Sequence, residues 1–266
     1  MMFNVLIIGC GRQGALSDIP GSENSEKIIS FAHAFKEHPG FKLLGFCDID
    51  KEKAVEAAIT WKTDYWSGYP IDADVIVIAT SDESHYEPLL KALDRKPQLV
   101  ICEKPLTTDL QQAREIVALY EAKGIPLMCN YTRRFIPELQ ELKRRYDAGE
   151  FGKIVSANIV FNRGWEHTAT HAIDLCEWLF NGQYNGKIME CETDYRIWQI
   201  DLFFEKHHWR EERIGDMPVP AYFDKHMAYV AENAFGFLEG REPLRCTGED
   251  ALKSLEICYE LIGGAK

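Results

Sequence analysis

Short apolar runs alternate with helical patterns through the first half of the chain. The runs are Asn4 to Ile8, Leu43 to Cys47, Val75 to Ala79 and Leu99 to Cys102, with Pro126 to Cys129 as a fifth. A strand covered on both faces reads this way, as in a parallel sheet. Between them, Ser25 to Glu37, Lys51 to Ile59, Tyr86 to Leu93 and Leu110 to Lys123 carry helical spacing. Thr108-Asp109 offers an N-cap for the last of these, Gly124 a stop, and Pro126 lies just beyond. The repeated strand-helix unit predicts an α/β fold with a doubly wound parallel sheet.

From about Phe135 the pattern changes. Ile136 to Tyr146 is helical and ends at Asp147-Ala148-Gly149, Ile154 to Phe161 alternates as a strand, and His167 to Phe180 is an amphipathic helix. Arg196 to Phe204 alternates again, and the helices Phe223 to Leu238 and Gly248 to Ile262 close the series. Strands that no longer alternate regularly with helices predict an α+β arrangement. The expected organisation is a doubly wound domain over residues 1–130 and a smaller α+β domain over residues 131–266.

Charge narrows the partners. The 266 residues hold 30 Lys and Arg against 42 Asp and Glu, a net charge of −12 with no basic block. Nucleic acid and anionic membrane surfaces need clustered cations, so a small-molecule ligand is expected instead. The eight cysteines lack metal or redox spacing, and Cys10, Cys47, Cys102 and Cys129 sit at the ends of apolar runs. They read as reduced packing residues of a cytoplasmic protein. The run Phe3 to Ile8 stops at Gly9, too short for a secretory signal or a membrane span.

Chemistry gathers at the strand ends. Gly9-Cys10-Gly11-Arg12-Gln13-Gly14 is a GxGxxG directly after the first strand. Its glycines allow a tight turn and close approach of the backbone to a pyrophosphate, so Gly9, Gly11, Arg12, Gln13 and Gly14 are candidate dinucleotide contacts. The turn-rich segment Ser17 to Asn24 then interrupts the helix that should follow. It reads as an insertion after a short helical turn, either an ordinary loop or a flap over the cofactor or a subunit contact. Asp48 ends the second strand, where an acid accepts from ribose hydroxyls and repels a 2′-phosphate, favouring NAD over NADP. Lys51 lies close enough in sequence to reach a phosphate. Glu103-Lys104-Pro105 places a lysine at the end of the fourth strand, at the sheet edge where ligands bind. The proline restricts Lys104 to extended geometry.

Taken with the strand-end Thr80-Ser81-Asp82-Glu83-Ser84-His85, these motifs resemble the glucose-fructose oxidoreductase/inositol dehydrogenase (Gfo/Idh/MocA) family. The resemblance continues through Arg133-Arg134-Phe135-Ile136-Pro137, Gly149-Glu150-Phe151-Gly152-Lys153 and Thr170-His171-Ala172-Ile173-Asp174, and returns in Gly248-Glu249-Asp250-Ala251-Leu252. It implies an NAD(P)-dependent oxidoreductase acting on a sugar, cyclitol or related polyol. The second domain would then carry an open, mostly antiparallel sheet that often forms homo-oligomer contacts, as a dimer or tetramer. By resemblance Lys104 meets the reacting carbinol and His171 is the base, with Asp174 one helical turn on. Thr80, Ser81, His85 and Glu103 look like cofactor-side residues, and Trp165 joins Lys104, His171 and Asp174 as a substrate candidate.

Two features depart from that pattern. Family members carry an aspartate four residues before the histidine, where this chain has His167. A second imidazole depresses the pKa of its neighbour by like-charge repulsion, whereas an aspartate supports a base. A relay through His167, a carboxylate from Glu166, and loss of turnover in favour of a dinucleotide-binding sensor or scaffold all stay open. Glu166, His167 and His171 also admit a metal reading, but no third ligand is evident and none is expected. His207 and His208 face opposite sides of a strand. The second departure is a short C-terminal domain, in which Trp165, Tyr195, Trp198 and Trp209 either stack on a sugar or pack.

Overall fold

The computed structural model describes residues 2–69 and 72–264. The chain divides into two compact units, one running to Phe135 and regaining Tyr222–Leu252, the other Ile136–Ala221 with the chain from Lys253 on. The first unit therefore runs past residue 130 and takes in a later segment.

In the first unit β1 (Phe3–Ile8), α1 (Phe31–Glu37), β2 (Phe41–Cys47), α2 (Lys51–Trp61), β3 (Asp64–Tyr65), β4 (Val75–Ile78), α3 (Tyr86–Leu93), β5 (Leu99–Cys102), α4 (Leu110–Lys123) and β6 (Leu127–Cys129) follow one another. Their strands form a six-stranded parallel sheet in the order β3-β2-β1-β4-β5-β6. Every residue of β4 and β5 is buried, as strands between two helical layers must be. The order reverses between β1 and β4, and ligands bind outside the strand ends at such a point. Asp109 caps α4 by accepting from the Gln112 amide at 2.8 Å, and Gly124 ends it at φ +63°.

Helix α1 begins at Phe31 rather than at Ser25. The amides of Ile29 and Ser30 donate to the buried carboxylate of Asp18 at 2.6 and 3.0 Å, and Ser30 itself caps the helix through the His33 amide. Amides taken by a carboxylate from another part of the chain cannot continue a helix backwards. Sequence periodicity does not register that competition.

The second unit contains α5 (Pro137–Asp147), β7 (Ile154–Phe161), α6 (Thr170–Phe180), β8 (Gly186–Glu190), β9 (Ile197–Phe204) and β10 (His208–Ile214). Its sheet runs β10-β9-β7-β8 and is antiparallel except for β7 with β8, the open, mostly antiparallel arrangement expected. One face buries Ala157, Ile159, Phe161, Ile200 and Leu202. On the other, Ser156, Asn158, Val160 and Gln199 are only half-buried. Asp201 lies on that second face, accepting from Arg210 Nε at 2.6 Å and Gln199 Nε2 at 2.6 Å, with His208 Nε2 at 2.8 Å. Burial pushes its carboxyl up, but these bonds outweigh it and hold the group below the usual range. His207 lies outside both strands, in the connection before β10, and stacks on Phe151 at 4.4 Å.

Helix α7 (His226–Leu238) returns the chain to the first unit because its aromatic side chain belongs there. Phe235 meets the rings of Phe3 at 6.1 Å and Phe41 at 5.8 Å, and a Cβ on Gly40 would fall 2.2 Å from it. Helix α8 (Gly248–Gly264) gives its first turn to this unit and the remainder to the second.

Candidate functional site

The glycine loop is closed at its ends and open in the middle. At Gly9, φ is +96° and a Cβ would lie 2.5 Å from the Ala79 carbonyl oxygen, and at Gly14 a Cβ would lie 2.0 Å from the Gly9 carbonyl oxygen. No side chain fits at either position. Gly11 differs, because nothing stands within 4 Å of where its Cβ would be. Two glycines thus fold the loop, and the third leaves its backbone bare to whatever lies outside the strand ends. Arg12 and Gln13 are exposed in the one-turn π-type helix Arg12–Leu16 that follows. The helical turn is short, as expected, and Ser17 leaves it.

Asp48 stands beside this loop despite its distance in sequence. Gly9 donates to the Cys47 carbonyl at 2.8 Å, which brings the end of β2 against the loop. The carboxylate accepts from the Cys10 amide at 2.7 Å through Oδ2 and from the Asp50 amide at 2.9 Å through Oδ1. Each oxygen keeps a further lone pair for a ribose hydroxyl.

At the end of β4, Thr80 donates to the Ser84 carbonyl at 3.2 Å and Ser81 to the Ser84 hydroxyl at 3.0 Å. His85 is fully buried beneath them. Its Nδ1 faces the Pro105 carbonyl at 2.7 Å and its Nε2 the Thr80 carbonyl at 3.3 Å. Burial depresses its pKa, with Lys104 adding to the effect and the two carbonyls opposing it. The ring thereby ties the end of β4 to the Lys104-Pro105 segment, a positioning task beneath the loop.

Lys104 and Glu103 are 8 % and 7 % exposed, and the Lys104-Pro105 peptide is cis. Glu103 Oε1 accepts from Asn130 Nδ2 at 2.6 Å. Burial pushes the Glu103 carboxyl up to about 7, against the opposing pull of the Asn130 amide and the Lys104 ammonium. Asn130 follows the apolar strand β6 as Lys104 nearly follows β5, so the same strand-end rule points to it. No motif marks Asn130 in the sequence beyond that position.

The raised Glu103 pKa sets a pH dependence. Its native pKa lies above that of the unfolded chain, so its contribution to stability is complete below about pH 4.5 and is lost as pH rises through about 7. Glu103→Gln keeps the acceptor for Asn130 and removes the charge. Urea denaturation is expected to show the variant gaining on the native chain between pH 5 and 8, by up to about 3 kcal/mol. An equal difference at both pH values would contradict this assignment.

In the second unit the histidine pair lies on two kinds of helix. His167 is exposed in the π-type turn Trp165–Ala169, and His171 is half-buried in the first turn of α6. A π turn closes through i to i+5 bonds, so four residues do not bring the two rings onto one α-helical face. Among the described residues no three His, Cys, Asp or Glu side chains are grouped to hold a metal ion. His171 meets the Trp198 ring edge to face at 6.2 Å, and the Trp198 indole donates to the buried Glu211 at 2.7 Å. Trp165 packs edge-on against Phe161 at 5.2 Å. Asp174 is 1 % exposed and accepts from the Ser254 hydroxyl at 3.1 Å, which places it inside the unit and makes it a support of α6.

Comparison with known proteins fits this loop and sheet. Residues 3–131 match the family described as "Oxidoreductase family, NAD-binding Rossmann fold" (GFO_IDH_MocA). Over these residues the chain is similar to the Gfo/Idh/MocA family. The inositol 2-dehydrogenase of Mycolicibacterium smegmatis is 37 % identical over 123 residues, 41 % of this chain and 35 % of that protein. The scyllo-inositol 2-dehydrogenase (NAD(+)) of Bacillus subtilis is 31 % identical over 121 residues, 43 % of this chain and 35 % of that one. The matches thus span about a third of these relatives' length. The fold extends further. The WlbA dehydrogenase of Bordetella pertussis, solved with NADH and UDP-GlcNAcA, superposes with a TM-score of 0.73 at 18 % identity, over 96 % of this chain and 92 % of that one. A myo-inositol dehydrogenase of Corynebacterium glutamicum gives 0.73 at 16 % identity, over 97 % and 95 %.

Proposed function

We propose that this chain is a member of the Gfo/Idh/MocA family and an NAD-dependent dehydrogenase of a CH–OH carbon in a sugar, cyclitol or related polyol. One observation carries the reading, the glycine loop whose outer glycines are closed by backbone while Gly11 opens onto free space. That space suits a pyrophosphate held by backbone amides, and Asp48 beside it suits the adenosine ribose. Bound there, NAD would supply the hydride acceptor.

The rest of the chemistry falls to side chains. Alcohol oxidation releases a hydroxyl proton and develops alkoxide charge. In this reading Lys104 stabilises the alkoxide oxygen with its ammonium, Glu103 and Asn130 fix the backbone that carries it, and the His171 imidazole accepts the proton. The names of the curated relatives support a cyclitol or sugar as substrate. The eight cysteines, all free thiols, suit a reducing compartment such as the cytoplasm. The half-buried second face of the β7 to β10 sheet suits self-association as a dimer or tetramer. His167, exposed where a carboxylate would have supported the base, favours a second reading as a dinucleotide-binding sensor without turnover.

Calorimetric titration separates these ideas from a fold that has lost its ligand. NAD is expected to bind at least about tenfold more tightly than NADP, because the Asp48 carboxylate repels a 2′-phosphate. Absence of binding by either dinucleotide would sink both readings. Binding without oxidation across a panel of inositols and sugars would select the sensor.

A further inference from the structure

The insertion after the glycine loop has no place in the reading so far, yet it contains one of the most heavily bonded carboxylates of the first unit. We propose that Asp18, His33 and Trp61 are positioning residues for the dinucleotide, acting through the short turn that follows Gly11. The proposal rests on the reading of that loop as a dinucleotide site.

The turn is small and ends abruptly. Ala15 and Leu16 donate to the Gly11 carbonyl at 2.9 and 3.1 Å, Ser17 donates to the Arg12 carbonyl at 3.1 Å, and the chain then leaves the helix. A helix that stops after one turn leaves its last carbonyls without amide donors. Ala15 is fully buried, so water does not serve its carbonyl. The Trp61 indole does, donating to it at 3.0 Å from the last residue of α2.

A second anchor lies three residues on. Asp18 is fully buried, and its Oδ2 accepts from the Ile29 amide at 2.6 Å and the Ser30 amide at 3.0 Å and faces His33 Nδ1 at 3.2 Å. The Ser30 hydroxyl donates to its Oδ1. The His33 ring in turn packs against the Trp61 ring at 5.4 Å between centroids. Trp61, His33 and Asp18 therefore close a circuit around Ala15 to Asp18, pinning the segment by a carbonyl at one end and a carboxylate at the other. In an uninterrupted first helix, successive helical bonds would hold the amides that face the pyrophosphate. Here a side-chain circuit replaces them, so the loop's aim depends on residues that never touch the ligand.

A role confined to fastening the insertion would change stability and leave affinity alone. The test measures NADH affinity by calorimetry, with melting temperature recorded alongside, on the full chain. Trp61→Phe keeps the ring against His33 and removes only the donor to Ala15. Its Kd for NADH is expected to rise about fivefold, the effect of one hydrogen bond. His33→Ala is expected to weaken NADH binding by a similar factor, and His33→Asn, whose amide can take the Nδ1 place, to restore most of it. If His33→Ala does not fold, Trp61→Phe decides alone. A native-like Kd in Trp61→Phe, whatever its melting temperature, would overturn the proposal. A native chain that binds no NADH would fail before any variant is compared and would overturn the functional reading together with this inference.

Discussion

Gly11→Ala is expected to keep the fold and lose the dinucleotide, whereas Gly9→Ala loses both. At Gly11 the backbone has φ −74° and ψ −161°, open to any residue, and an added methyl meets no atom within 4 Å. Its effect on stability should stay within about 1 kcal/mol and can be favourable, because alanine has less unfolded-state freedom to lose. The same methyl occupies the approach of a pyrophosphate, and NAD affinity should fall at least about a hundredfold. At Gly9 the methyl would stand 2.5 Å from a carbonyl oxygen and 2.6 Å from the Thr80 amide nitrogen, both backbone, on a residue at φ +96°. Neither neighbour can swing aside, so a loss of about 3 kcal/mol or more is expected. Melting curves and calorimetry on both variants give the contrast, and unchanged NAD binding by Gly11→Ala would remove the loop from the site.

Lys104→Met is expected to cut turnover by about a thousandfold while the dinucleotide still binds within about threefold of native affinity. Methionine keeps the buried stem and deletes the charge. Removing a group that stabilises a developing oxyanion in a water-poor site costs about this much. The fold should tolerate the change for a specific reason. Lys104 is among the influences that hold the Glu103 carboxyl down to about 7, so without it Glu103 shifts further up and stays neutral at pH 7. A neutral Glu103 then leaves no unpaired charge of its own behind. Steady-state kinetics on a confirmed polyol substrate decide the matter, and a native kcat would remove Lys104 from the chemistry.

The sequence was legible where local pattern and tertiary demand agree. Strands β4 and β5 are apolar on both faces because helices cover both, and that composition is visible without coordinates. The glycine loop, Asp48 and the strand-end lysine could be read for the same reason, since each punctuates such a run. Elements built by partners from elsewhere were not legible. His208-Trp209-Arg210-Glu211-Glu212-Arg213-Ile214 lacks the apolar alternation that marks β7 and β9, yet it is β10, in which Asp201 takes Arg210 and His208 while Glu211 takes the Trp198 indole. Helix α1 starts later than its periodicity predicts because Asp18 claims the amides of Ile29 and Ser30. The π turn that carries His167 leaves no trace in residue spacing, so its offset from His171 appears only in the structure.

The return of α7 to the first unit has a consequence for how the protein is made. The unit that carries the glycine loop packs Phe3 and Phe41 against Phe235, yet the whole of Ile136–Ala221 is translated between them. Domains usually fold in the order in which they emerge from the ribosome. Here the earlier unit waits with an aromatic patch uncovered while the later one is already complete in sequence up to Ala221. During that interval the nascent chain carries its own aggregation hazard, and the segment Tyr222–Leu252 acts as the cover that ends it.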